Sequence, residues 1–128
     1  MSSPVLLCID DRPELLKLRK ANLESRGFSV ETATNTVSAM KTLENTAVAA
    51  VLVEFKTEGL DAEAVAFHIR QRFPKQPIIL LSAFCDMPRR ILWLVDDFVM
   101  RSEPLEQLAE VIERVARPSH KLAQAAAA

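Results

Sequence analysis

The chain has 128 residues, and its 16 lysines and arginines nearly balance 17 aspartates and glutamates, which gives a net charge of −1. With 49% hydrophobic residues, this composition predicts one globular domain with a real core, and it excludes the basic footprint of a nucleic-acid-binding protein. The longest apolar runs are only strand-length, so we expect no membrane partner, and two cysteines are too few for a disulfide scaffold and favour a cytoplasmic protein.

The first half of the chain alternates between strand and helix patterns. The first predicted strand is the apolar run Val5–Ile9, and the helix formers at 13–26 predict the first helix. Residues 28–33 alternate as a strand does. An apolar face at helical spacing then predicts a second helix over 36–43, with Asn35 as its N-terminal cap.

The second half continues this alternation and introduces one irregular element. The segment 87–95 is short and only weakly helical, so we expect a truncated fourth helix. We place the domain at 4–116 and interpret 117–128 as a tail or a helix extension. The other predicted elements are a strand at 47–53, a helix at 62–73, a strand at 77–81, a strand at 97–101 and a helix at 105–115.

Strands that alternate with helices predict right-handed crossovers and a parallel sheet that is covered by helices on both faces. In such sheets ligands bind beyond the carboxyl ends of the strands. Three carboxylates there would bind a hard cation such as Mg²⁺ through oxygen, and a hydroxyl and a cation beside them suit a phosphoryl group. The residues at those ends are Asp10, Asp11, Glu54, Ser82 and Arg101.

Each of these residues also has a structural interpretation. Asp11 and Glu14 have the spacing of a helix-capping pair, Glu54 suits the first residue of a loop, and Ser82 suits a turn. Capping does not explain Asp10, because adjacent like charges need a compensating cation or helix N-terminus. The joint placement at several strand ends therefore indicates a site. The basic residues of the first helix (Lys17, Arg19, Lys20) suit a solvated face.

The sequence resembles a response-regulator receiver domain, the CheY-like fold of two-component signalling, over residues 4–116. The resemblance is carried by the stretches VLLCIDDRPELLKLRKANLESRGFSVETATN, PIILLSA and DDFVMR. It implies a three-layer, doubly wound (βα)5 flavodoxin-like sheet of order 2-1-3-4-5 and a switch in phosphorelay signal transduction. It also implies that Asp10 and Asp11 hold Mg²⁺, that Ser82 reads the phosphoryl group, and that Phe98 is the switch aromatic.

Two departures from the family pattern fall at the centre of this site. Glu54 stands at the phosphoacceptor position in place of aspartate, and Arg101 stands in place of lysine. Glutamate is one methylene longer, and a displacement of about 1 Å can cost about 10²-fold in rate, so we predict that Glu54 is a poor acceptor. We expect a fixed Glu54–Arg101 pair, with a hydrogen bond from Ser82 to Glu54, that permanently imitates the phosphorylated state.

The leading hypothesis is a pseudo-receiver, a non-enzymatic signalling module that acts by protein contact. The expected partners are a histidine kinase, a phosphotransfer protein or an output protein, with dimerisation through helix four, strand five and helix five. Mg²⁺ is left open as a ligand of Asp10, Asp11 and Glu54. Two alternatives stay open: a Mg²⁺-dependent phosphoacceptor switched by a histidine kinase, and a flavodoxin-like small-molecule binder, which the scarcity of glycine disfavours. The sequence leaves open whether the chain is a complete protein or part of a longer one.

Overall fold

The elements follow one another in the predicted order. In the computed structural model, which describes residues 3–55, 58–83 and 87–116, five strands form one parallel sheet of order β2-β1-β3-β4-β5. This confirms the predicted fold class; the prediction for 117–128 falls outside the described residues. The elements are β1 (Val5–Ile9), α1 (Pro13–Glu24), β2 (Ser29–Ala33), α2 (Thr36–Asn45), β3 (Ala50–Glu54), α3 (Ala62–Arg72), β4 (Ile78–Ser82), α4 (Arg89–Leu92), β5 (Asp97–Met100) and α5 (Leu105–Ala116).

Burial of the sheet explains the two kinds of strand pattern. Every residue of β3 and β4 is buried, which accounts for their continuous apolar runs, whereas the edge strand β2 buries only Val30 and Ala33 and exposes its other residues. One face of the sheet packs against α1 and α5, with Leu23 and Ile112 fully buried there. The other face packs against α2 and α3 and buries Ile91 of α4.

The ends of the helices follow local sequence signals. Asn35 accepts a hydrogen bond from the Ser38 amide (2.9 Å), as predicted, and the Asp61 side chain caps α3 in the same way. After α1, Gly27 adopts a φ of +94°, a conformation that favours glycine and turns the chain toward β2. The predicted truncation of helix four is confirmed, since α4 has four residues. Within the described residues, no helix is both long and apolar enough to cross a membrane.

Two strand ends differ from their predicted positions in a way that matters for the site. Glu54 is the last residue of β3 and pairs in register with Leu81, and Ser82 is the last residue of β4 and pairs with Met100. Both residues therefore belong to the sheet instead of following it. The pleat places Glu54 on the same side as Leu52, which is the side covered by α1 and α5.

Candidate functional site

Three polar side chains are buried among the residues that the structure describes, and all three were predicted site residues. Asp10, Glu54 and Ser82 are each no more than 2% exposed. They lie at the carboxyl ends of β1, β3 and β4, which are neighbours in the sheet. The sheet thus brings together the buried polar groups at the edge where parallel sheets bind ligands.

Asp10 is held by the residue two positions further on. Its Oδ1 accepts hydrogen bonds from the Arg12 backbone amide and from Arg12 Nε, and its Oδ2 accepts one from Arg12 Nη2, all at 3.0 Å. This two-pronged contact is the preferred arrangement of a guanidinium with a carboxylate. It raises the pKa of Arg12 above its usual value, first through the hydrogen bond to Asp10.

Asp11 connects the first strand to the loop before α3. Its Oδ2 accepts a hydrogen bond of 2.6 Å from the Gly59 amide. The N-terminal cap of α1 is Arg12, and no side chain hydrogen-bonds there as a cap, so the interpretation of Asp11 and Glu14 as a capping pair is wrong. The Asp11 carboxylate instead contacts the loop before α3.

Glu54 lies among three arginines. Its Oε1 is 2.9 Å from Arg101 Nε and 3.4 Å from Arg12 Nη2, and its Oε2 is 3.6 Å from Arg19 Nη2. Neither oxygen accepts a hydrogen bond in the described structure: the Arg19 distance is too long for one, and the two shorter contacts lack hydrogen-bond geometry. The contacts are therefore charge pairings, and the predicted Glu54–Arg101 pair is one of them.

The hydrogen bond expected from Ser82 to Glu54 is absent from the described structure, and this prediction is wrong. Ser82 continues the pleat from Leu80, which packs under α2 and α3, whereas Glu54 lies on the α1 and α5 side. The carboxylate turns toward the arginines on that side. Ser82 still positions the pair through its backbone, because its carbonyl accepts a hydrogen bond of 2.7 Å from the Arg101 amide.

Burial dominates the acid–base behaviour of Glu54. Loss of solvent raises the pKa of this carboxyl above its usual value, and the positive charges of Arg19 and Arg101 oppose the rise without cancelling it. Asp10 adds a smaller upward contribution through its negative charge. The folded protein therefore holds the charged form of Glu54 at a cost, which is a common property of functional carboxylates.

Two of the three arginines around Glu54 are not among the residues that the sequence predicts for the site. Arg12 follows the acid pair directly, and that adjacency is the signal that could have identified it. Arg19 was assigned to a solvated face, which is wrong, since its side chain is only 21% exposed and contacts Glu54. Its spacing from Leu16 and Leu23, the two buried residues of α1, places it on the helix face that packs against the sheet.

The remaining predicted site residues lie on or after β5. Arg101 follows this strand directly, and its side chain is 34% exposed. Phe98, the predicted switch aromatic, lies on β5 and is 37% exposed, so its ring is partly turned to solvent.

The arrangement of oxygens at the predicted metal site does not fit a bound Mg²⁺. That ion requires near-octahedral coordination by available oxygens. Both oxygens of Asp10 accept from Arg12, Oδ2 of Asp11 accepts from the Gly59 amide, and Glu54 faces guanidinium groups. No group of three or more histidine, cysteine or acidic side chains in the described ranges is placed to hold a metal ion.

Comparison with known proteins identifies a family and several relatives of this chain. A family model described as the response regulator receiver domain matches residues 6–113. A putative NtrX-like response regulator of Rickettsia felis is 32% identical over 84 residues, which are 64% of this chain and 18% of that protein. The transcriptional regulatory protein GlrR of Escherichia coli is 32% identical over 83 residues, 65% of this chain and 19% of that protein. The chain thus spans less than a fifth of the length of these relatives.

Solved structures agree with this assignment. The response regulator TrrA of Thermotoga maritima, in complex with Mg²⁺ and BeF, has a TM-score of 0.76 at 27% identity, with 88% of this chain and 98% of that chain covered. TrrA in complex with the histidine kinase ThkA has a TM-score of 0.78 at 26% identity, with 88% and 97% covered. The chain therefore belongs to the response regulator receiver domain family of two-component signalling.

Proposed function

We propose that this receiver domain is a pseudo-receiver: its signalling surface is held in one state without phosphorylation, and it acts by protein contact instead of catalysis. One observation carries the proposal. Glu54, at the phosphoacceptor position, is 1% exposed and its carboxylate is surrounded by Arg12, Arg19 and Arg101.

Burial and pairing both argue against Glu54 as an acceptor. Phosphoryl transfer to a carboxylate depends on positioning of the nucleophile in line with the donor and on neutralisation of the donor's charge. The Glu54 oxygens face guanidinium groups within the protein, and the side chain leaves almost no surface for a donor to approach. The extra methylene of glutamate adds a displacement that is costly in itself.

Arg101 supports the same conclusion from the cationic side. A guanidinium presents a planar array of donors, which suits a resident carboxylate, whereas the lysine usual in the family supplies a compact point charge. The hydrogen bond from the Arg101 amide to the Ser82 carbonyl holds the Arg101 backbone beside the end of β4. Glu54 and Arg101 together would occupy the space in which a phosphoryl group and its lysine meet in an active receiver.

The surface formed by α4, β5 and α5 is the proposed contact face for a histidine kinase, a phosphotransfer protein, an output protein or a second copy of the chain. Trp93 is 86% exposed just after α4, and Leu92 and Phe98 are 39% and 37% exposed. An exposed tryptophan beside other apolar side chains is typical of the anchor of a protein interface. The complex of TrrA with the kinase ThkA supports a signalling protein as the partner.

Intact mass after incubation with acetyl phosphate and Mg²⁺ tests the proposal. We expect no phosphoryl adduct on this chain, while a conventional receiver in a parallel reaction gains one. The informative variant is Glu54→Asp, since it restores the usual acceptor and leaves the arginines in place. A phosphoryl adduct mapped to Glu54 overturns the proposal and favours the alternative, a Mg²⁺-dependent phosphoacceptor, for which the Mg²⁺-bound form of TrrA is the supporting observation.

A further inference from the structure

We infer that Arg12 is a tethered cation that replaces a divalent metal ion at the acid pair, so that the chain itself neutralises the site. The inference rests on the proposed function, since it concerns the same carboxylates. It makes a separate claim, however. It assigns the exclusion of metal to one residue, whereas the proposed function concerns phosphorylation of another.

The geometry singles out Arg12 among the three arginines. Its guanidinium hydrogen-bonds both oxygens of Asp10, its Nε is 3.8 Å from Asp11 Oδ1, and its Nη2 is 3.4 Å from Glu54 Oε1. One cation thus contacts all three carboxylates that were predicted to share Mg²⁺.

Arg12 and a divalent ion would compete for the same lone pairs. A carboxylate that accepts two guanidinium hydrogen bonds cannot also present those electron pairs to a metal, and the two positive charges would repel each other. The guanidinium has the advantage of its covalent link to the site, which gives it a high effective concentration. Metal binding would therefore require the Arg12 side chain to leave Asp10.

The backbone aims Arg12 at the acids. Pro13 restricts the preceding residue to extended conformations, and Arg12 has φ −109° and ψ 100°. The Arg12 amide also donates to Asp10 Oδ1, so part of the contact belongs to the main chain. Because the Arg12 side chain is 39% exposed, its truncation removes a partly solvated group and leaves the amide contact in place. We therefore expect Arg12 variants to fold.

Arg19 provides a matched control. It lies about as far from Glu54 as Arg12 does, at 3.6 Å against 3.4 Å, and its removal changes the net charge by the same amount. Arg19 pairs with Glu54, whereas Asp10 accepts its side-chain hydrogen bonds from Arg12. Any difference between the two variants therefore reports the contacts of Arg12 with the acid pair, Asp10 and Asp11, and not the charge alone.

The test is titration of the full chain with Mg²⁺ by calorimetry and with Mn²⁺ by electron paramagnetic resonance. We compare the unaltered protein with Arg12→Gln and Arg19→Gln. We expect Arg12→Gln to bind either ion about 10-fold or more tightly than the unaltered protein, and Arg19→Gln to change affinity by much less. If Arg12→Gln fails to fold, Arg12→Lys keeps the charge but loses the two-pronged contact, and it should show a smaller gain.

Three results would overturn the inference: tight metal binding by the unaltered protein, no gain in the folded Arg12 variant, or equal gains in the Arg12 and Arg19 variants. None of these depends on phosphorylation. A phosphoryl adduct on the unaltered protein would instead defeat the proposed function, so failure of either claim is recognisable separately.

Discussion

Arg101 Nε lies 2.9 Å from Glu54 Oε1, and these are the two residues that depart from the family pattern at the centre of the site. The two substitutions are complementary. A longer carboxylate reaches toward the cation, and a planar cation is suited to receive it. In the structure, the two residues form one close charge pair at the end of β3.

Burial of Glu54 makes the stability of the domain depend on pH in a definite direction. The folded-state pKa of this carboxyl is raised above its usual value, so the folded protein favours the protonated form more than the unfolded chain does. The contribution of Glu54 to the free energy of unfolding is therefore smallest above the folded-state pKa. It grows as pH falls from there toward the usual glutamate value.

The substitution Glu54→Gln tests this directly, because glutamine imitates the protonated carboxyl. We expect a gain in the free energy of unfolding near pH 8, measured with urea, because the folded protein favours the uncharged form of this group. The gain should shrink as pH falls through the raised pKa. A control is Glu63→Gln, which breaks the exposed ion pair with Arg90 and should change stability by less than about 1 kcal/mol. A large loss of stability in Glu54→Gln at all pH values would contradict the direction of the shift.

Arg101 should lower the pKa of Glu54, although it lies just outside β5. Its positive charge lowers the pKa of the buried carboxyl, so Arg101→Ala should raise that pKa further. Arg101→Lys retains a charge and should raise it by less. Carbon NMR titration of the Glu54 carboxyl measures this pKa. An unchanged pKa in Arg101→Ala would show that the Arg101 charge does not stabilise the charged form of Glu54.

The contact between Asp11 and Gly59 predicts a specific steric coupling. A Cβ at position 59 would lie 2.9 Å from Asp11 Oδ2, so Gly59→Ala forces the carboxylate to move and should destabilise the domain by about 1 kcal/mol. In an Asp11→Ala background this cost should largely disappear.

Gly27→Ala is the control for this double-mutant comparison of Gly59→Ala with Asp11→Ala. Its cost comes from the φ of +94°, with no atom within 4 Å of the added Cβ, so its effect should be additive with Asp11→Ala. Urea unfolding of the single and double variants gives the coupling energy. Additivity of Gly59→Ala with Asp11→Ala would mean that the two residues do not interact.

Trp93 should matter for association and not for folding. Trp93 is 86% exposed, so Trp93→Ala should change the free energy of unfolding by less than about 0.5 kcal/mol. If the α4–β5–α5 face forms a dimer, the same substitution should weaken self-association at least about 10-fold in sedimentation experiments. Leu18→Ala, which truncates an exposed residue on α1, should leave association unchanged. A monomeric protein at high concentration would contradict the dimer.

The hydrophobic pattern predicted the fold because strands that are buried on both faces, such as β3 and β4, appear in the sequence as continuous apolar runs. The strand ends were less predictable. Glu54 and Ser82 are polar, so the sequence pattern ends each strand one residue before them, whereas the structure makes them the last residues of β3 and β4. The acids and Arg101 could be found from the rule that parallel sheets gather function at one edge. Arg12 stands next to the acid pair in the sequence, which is a signal for the site, but its contacts with the acids depend on the direction of its side chain, which only the structure shows.

The most direct test of a signalling surface held in one state is an amide NMR spectrum recorded with and without beryllofluoride and Mg²⁺, the ligand combination bound to TrrA. We predict that the resonances of Phe98 and Trp93 stay unchanged in this chain, because Glu54 and the arginines already fill the site. Shifts of these resonances on addition of the ligands would show that the surface still switches and would contradict the account.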